Sequence, residues 1–178
     1  MEYADDIKTQ LQTAVNLLCK AKKFEEEYMG IAQRLGLQGE KRRMRYESAC
    51  NHNFINFLKC DAYDVYGITL TSEPQNNGIP GAANMKAFFE TYLAKMEDQY
   101  DTLHTIANKL VTLNCQHTAS HLYCKCKCLI EDIKYYRRII LEGNAVSWRP
   151  EFILLHQTTE CNIHDRFEEK EKEVGYDY

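Results

Sequence analysis

The 178-residue chain has three prolines and one tryptophan, and no apolar run approaches the ~20 residues that cross a bilayer. A membrane-spanning helix is therefore not expected. Cationic surplus is also missing: the formal net charge is -4 and the pI about 5.9. Nothing in that balance favours nucleic acid or an anionic membrane surface as a partner. The opening MEYADDIKTQ is acidic and polar, unlike a secretory leader, so the expected location is cytoplasmic. Two of the three prolines fall within Tyr66–Ala83, which leaves the rest of the chain open to long helices.

What the chain does have is helical periodicity. Over Thr118–Glu142, the residues Leu122, Cys126, Leu129, Ile133, Tyr136 and Ile140 recur every three or four positions and form one apolar stripe. Gly143 is expected to stop that helix. A helix of about 25 residues is roughly 37 Å long, so it needs partners of similar length. A first helix is predicted over Asp5–Leu35, with Ile7, Leu11, Leu18, Ala21, Tyr28 and Ala32 on its buried side. Gly36–Gly39 breaks it. A second is predicted over Glu40–Val65, striped by Tyr46, Cys50, Phe54, Phe57 and Leu58, then Ala62 and Val65. A third runs over Asn84–Leu113, with Asn84 as N-cap. A shorter fifth helix is predicted over 150–167, with Pro150 at its first position, followed by a charged tail over 168–178.

The segment Tyr66–Ala83 can extend to about 60 Å at ~3.3 Å per residue. That is enough to run the length of a bundle and start the third helix parallel to the second. The expected fold is all-α: one domain over 1–178, a four-helix bundle over about 5–143, one long central crossover, and a short fifth helix. Short first and third links with a single long second link are the ferritin-like arrangement.

With that order in place the sequence resembles bacterial-type ferritin subunits over most of its length. The likeness rests on Asp6-Ile7 through Asn16-Leu17, on Phe89-Glu90-Thr91-Tyr92, on Lys134 through Ile140, and on the spacing between the last two. The resemblance implies a 24-subunit homo-oligomeric cage that stores iron as a ferric mineral. It also implies a di-iron oxidation centre inside each bundle, built from carboxylates and imidazole. Matched position by position, the sequence departs from that pattern. The expected ligands fall at Leu18 or Cys19, near Cys50-Asn51 and Phe54, at Lys95, and near Cys128 and Glu131. Glu97 and Glu131, with Cys50 and Cys128 nearby, are the metal-ligand candidates that remain. Ferroxidase activity is expected to be weak or absent.

Three further features bear on function. His117 and His121 are i,i+4 at the start of the fourth helix and could admit divalent metal there. His156 and His164 on the predicted fifth helix could line a fourfold axis. The eight cysteines fall mostly inside helical patterns and read as reduced thiols. In CKCKC, Cys124 and Cys128 share a face while Cys126 points away, so the three cannot converge on one ion. The charged runs Lys20–Glu27 and Glu40–Arg45 read as solvated faces or subunit contacts. The function expected is iron storage or sequestration. The alternatives are a cage or structural assembly without iron chemistry, and a thiolate-based binder of soft metals such as zinc or copper.

Overall fold

The computed structural model describes residues 2–73, 78–149 and 151–152. Among them are four long helices and no strand: α1 (Glu2–Arg34), α2 (Gln38–Tyr66), α3 (Met85–Thr112) and α4 (Gln116–Ala145). The predicted fifth helix lies outside the described residues except for Glu151 and Phe152, which are helical. The charged tail, His156, His164 and Cys161 lie outside them altogether.

Each helix ends for a local reason. Gly36 takes a left-handed φ of 76°, which closes α1 and lets Leu37 N donate to Ala32 O at 2.8 Å. Gly67, at φ 66°, does the same for α2. Asn84 caps α3 by accepting from the Ala87 amide at 2.9 Å. α4 does not stop at Gly143. It continues to Ala145, and Gly143 is buried within it. The left-handed residues are Ser147 and Trp148, at φ 54° and 51°. Gly143 is needed for space: a Cβ there would lie 2.6 Å from the Trp148 ring.

Packing is antiparallel around the bundle. α1 faces α3 with Tyr28 against Phe88 (centroids 5.1 Å apart) and Phe24 against Tyr92 (6.1 Å). α2 faces α4, with Arg43 on Asp132 and Asp61 on Thr118. Three tyrosines, Tyr28, Tyr92 and Tyr136, fill the middle together with Phe88 and Phe89. Trp148 lies over Phe89 at 5.9 Å and closes that end. Burying each aromatic contributes on the order of 2–3 kcal/mol.

The buried stripe of α2 differs from the expected one. It runs through Met44, Asn51, Ile55, Leu58 and Ala62, while Phe54 and Phe57 are half-buried and Val65 is exposed. The helix is turned because Arg43, Glu47 and Asn51 face inward. The runs expected to be solvated are not wholly so: Glu25, Glu40 and Arg43 are 1%, 1% and 4% exposed. The other side of the bundle bears the long connection. Gln12 Nε2 donates to Thr71 O at 2.7 Å, Tyr28 OH to Pro80 O at 3.1 Å, and Arg34 Nη2 to Ala82 O at 3.3 Å.

Candidate functional site

The chemistry-bearing feature is a layer of charge in the middle of the bundle. Glu25 is four residues after Ala21 and three before Tyr28, so it occupies the buried stripe of α1. Glu47 and Asn51 come from α2, Lys95 and Gln99 from α3, and Lys125 and Asp132 from α4. Three carboxylates therefore face three cations once Arg43 is included.

The pairing is direct. Lys95 Nζ donates to Glu25 Oε1 at 2.5 Å and Asn51 Nδ2 to Glu25 Oε2 at 2.8 Å, so both carboxylate oxygens are engaged. The Lys95 ammonium also lies 5.1 Å from the centre of the Tyr92 ring. Arg43 Nη2 donates to Asp132 Oδ1 at 2.5 Å, with its guanidinium 4.3 Å from the Tyr135 ring centre. Tyr136 OH donates to Glu40 Oε2 at 2.5 Å. Burial, helped by the negative charge of Asp132, pushes Glu47 up to about 7. Burial works to lower Lys125, but Glu47, Cys50, Glu25 and Asp132 outweigh it and raise it above the ordinary lysine value. Two polar groups in this region lack partners among the described residues: Asn51 Oδ1 and both amide atoms of Gln99.

The predicted ligands do not come together here. Cys50, Cys128 and Glu131 line one cleft of about 650 Å³ between α2 and α4, along with Cys124, Glu47 and Asp132. Glu97 is elsewhere: it accepts from Arg137 at 2.9 Å, between α3 and α4. Glu131 is 70% exposed and pairs with Lys134 at 3.6 Å. Burial and Glu47 raise the Cys50 thiol to about 11, which keeps it protonated and a poor ligand at neutral pH. Cys126 is core and Cys124 and Cys128 are exposed, as the helical spacing requires. At the start of α4, His117 and His121 do meet, with centroids 4.9 Å apart, and His117 Nε2 is 3.7 Å from Asp61 Oδ1.

A di-iron centre needs several anionic oxygens turned toward a common point with charge to spare. In this layer Glu25 and Asp132 are already paired with Lys95 and Arg43, burial pushes Glu47 up to about 7, and Lys95 occupies the α3 position where the pattern expects a glutamate. The donor set therefore does not fit such a centre. Among the described residues no group of three or more His, Cys, Asp or Glu is placed to hold a metal ion. The residues sequence reasoning missed were Glu25, Glu47 and Arg43. Their signal was available: each falls on a helical stripe between buried neighbours.

No protein-family model matches the chain, and no curated protein matches it. What fold and site define is an all-helical four-helix bundle with an ion-paired interior. No helix among the described residues is long and apolar enough to cross a membrane.

Proposed function

We propose that this chain is a ferritin-type subunit that assembles with copies of itself, into a cage of 24 on the family pattern, and sequesters iron as cargo without a di-iron oxidation centre in its own bundle. The observation that carries the second half is the charge layer: Lys95 and Arg43 neutralise the carboxylates that iron would require. The first half is supported by the path of the long connection. Its contacts reach α1 at residues 12, 28 and 34 in turn, a travel of roughly 33 Å at 1.5 Å per residue. That is the course a central crossover takes, and it leaves α2 and α3 pointing the same way. In the assembly, His117 and His121, backed by Asp61, are the proposed entry ligands for divalent metal, and the residues over 150–167 supply the fifth helix. The setting is cytoplasmic.

One experiment tests both halves. Fe(II) is added to the pure protein without oxygen, air is admitted, and the sample is sized with iron detection. Oxidation should be no faster than in buffer, and iron should elute with a species many times heavier than the 20.8 kDa chain. A 20.8 kDa species, or iron that elutes apart from protein, would refute the cage. A fast coloured intermediate would refute the loss of the centre.

A second reading rests on one observation, that the exposed Cys124 and Cys128 line one cleft. It makes the protein a thiolate binder of zinc or copper. Zn(II) retained through gel filtration and lost in Cys124→Ser or Cys128→Ser would favour it over iron.

A further inference from the structure

The cleft of about 650 Å³ between α2 and α4 holds two charges that the fold leaves unused. Glu47 is only 9% exposed, yet its carboxylate makes no hydrogen bond or ion pair among the described residues. Neither of its oxygens is sealed from solvent, and Glu47 lines the cleft, so its opening is toward that space. A carboxylate this dry without a partner is costly, and a native fold that keeps one calls for an explanation. Lys125 of α4 lines the same cleft, half-buried, and it too is unpaired among the described residues. The two are close: Glu47 is the charge that raises Lys125 most, and Lys125 is the cation that most counters the rise of Glu47. They still form no ion pair, so a gap separates them. The adjoining carboxylates are engaged elsewhere, Asp132 by Arg43 and Glu131 by Lys134. Beside the two free charges stand the half-buried rings of Phe54 and Phe57, with centroids 5.8 Å apart.

We propose that this cleft binds a free α-amino acid with an aromatic side chain: its ammonium on Glu47, its carboxylate on Lys125, and its ring against Phe54 and Phe57. A cation alone would satisfy Glu47 and face Lys125 with a like charge. An anion alone reverses that fault. An α-amino acid carries both signs on one carbon and so bridges the gap, with a charge-assisted hydrogen bond at each end. The ring adds the aromatic packing that Phe54 and Phe57 offer. The cleft's volume is within the range of small-ligand sites, and an apolar wall with a few convergent polar groups is their usual makeup. Lys127, also at the cleft, is exposed and stays hydrated. No thiolate is needed, since Cys50 stays protonated and Cys124 and Cys128 are exposed. The site lies within one chain, so it stands or falls separately from assembly, from iron and from zinc.

The test titrates L-phenylalanine into the full-length protein by calorimetry at pH 8, where Glu47 is mostly ionised. Two analogues run in parallel: 2-phenylethylamine, which lacks the carboxylate, and 3-phenylpropionate, which lacks the ammonium. Phenylalanine should bind saturably at one site per chain, and at least about tenfold more tightly than either analogue. Glu47→Gln should abolish the preference over 3-phenylpropionate. Lys125→Met should abolish the preference over 2-phenylethylamine. Each variant is read as a ratio of affinities within one folded protein, checked by circular dichroism, so a change in stability does not imitate the result. No phenylalanine binding at millimolar concentration would overturn the inference. So would an analogue that binds as tightly as phenylalanine, or variants that keep the parent's ratios.

Discussion

Replacing Lys95 with methionine removes the cation from Glu25 while keeping the length and most of the volume of the side chain. Glu25 is 1% exposed, and its remaining partner in this network would be the Asn51 amide at 2.8 Å. Removing one member of a buried pair costs about 3–5 kcal/mol, because the other is left charged and dry. For a chain of this size each kcal/mol moves the midpoint by about 2–4 °C, so Lys95→Met should melt roughly 6–20 °C lower by far-ultraviolet circular dichroism. The defect should shrink on acidification, since the orphaned carboxylate can take up a proton. The double variant Lys95→Met, Glu25→Leu should recover most of the loss, since two apolar side chains of similar size replace the pair. A single variant within about 2 °C of the parent at pH 7, or a double variant less stable than the single, would refute the account of the charge layer.

Two further perturbations follow from the same geometry. Glu47 titrates near 7 in the folded chain against an ordinary value of 4.5, so its contribution is fully present below about pH 4.5 and is lost as pH rises through 7. Glu47→Gln should therefore gain on the parent between pH 5 and pH 8, by up to about 3 kcal/mol in urea unfolding; parallel pH profiles would contradict this. Gly143→Ala would place a methyl 2.6 Å from Trp148. The expected loss is about 1–3 kcal/mol despite better helix propensity, with a red shift in the emission of the single tryptophan as it leaves Phe89; unchanged emission would show that the ring does not pack there.

The parts of the fold legible in the sequence were those set by apolar spacing and backbone chemistry. The α4 stripe through Leu122, Cys126, Leu129, Ile133 and Tyr136 is the buried one, and Asn84 is the α3 cap. Spacing misled where burial is achieved by pairing. Glu25 sits in a run that looks solvated, and its partners Lys95 and Asn51, 70 and 26 residues away, make its burial tolerable. On α2 the bulky Phe54 and Phe57 suggested a face that Asn51 and Glu47 in fact set. Glu97 and Glu131 stood near the right level of the chain but on outward positions. Gly143 carried the composition of a stop and the function of a gap, a distinction that depends on where Trp148 folds back.

The manner in which α1 grips the long connection has a practical consequence. Tyr28 and Arg34 each hold a main-chain carbonyl, at Pro80 and Ala82. Every amino acid brings that oxygen, so these clasps recognise the backbone's path and not the letters written along it. Exposed Pro80 is thus a place where the sequence can be rewritten, or an affinity handle grafted, with the fastening to α1 kept.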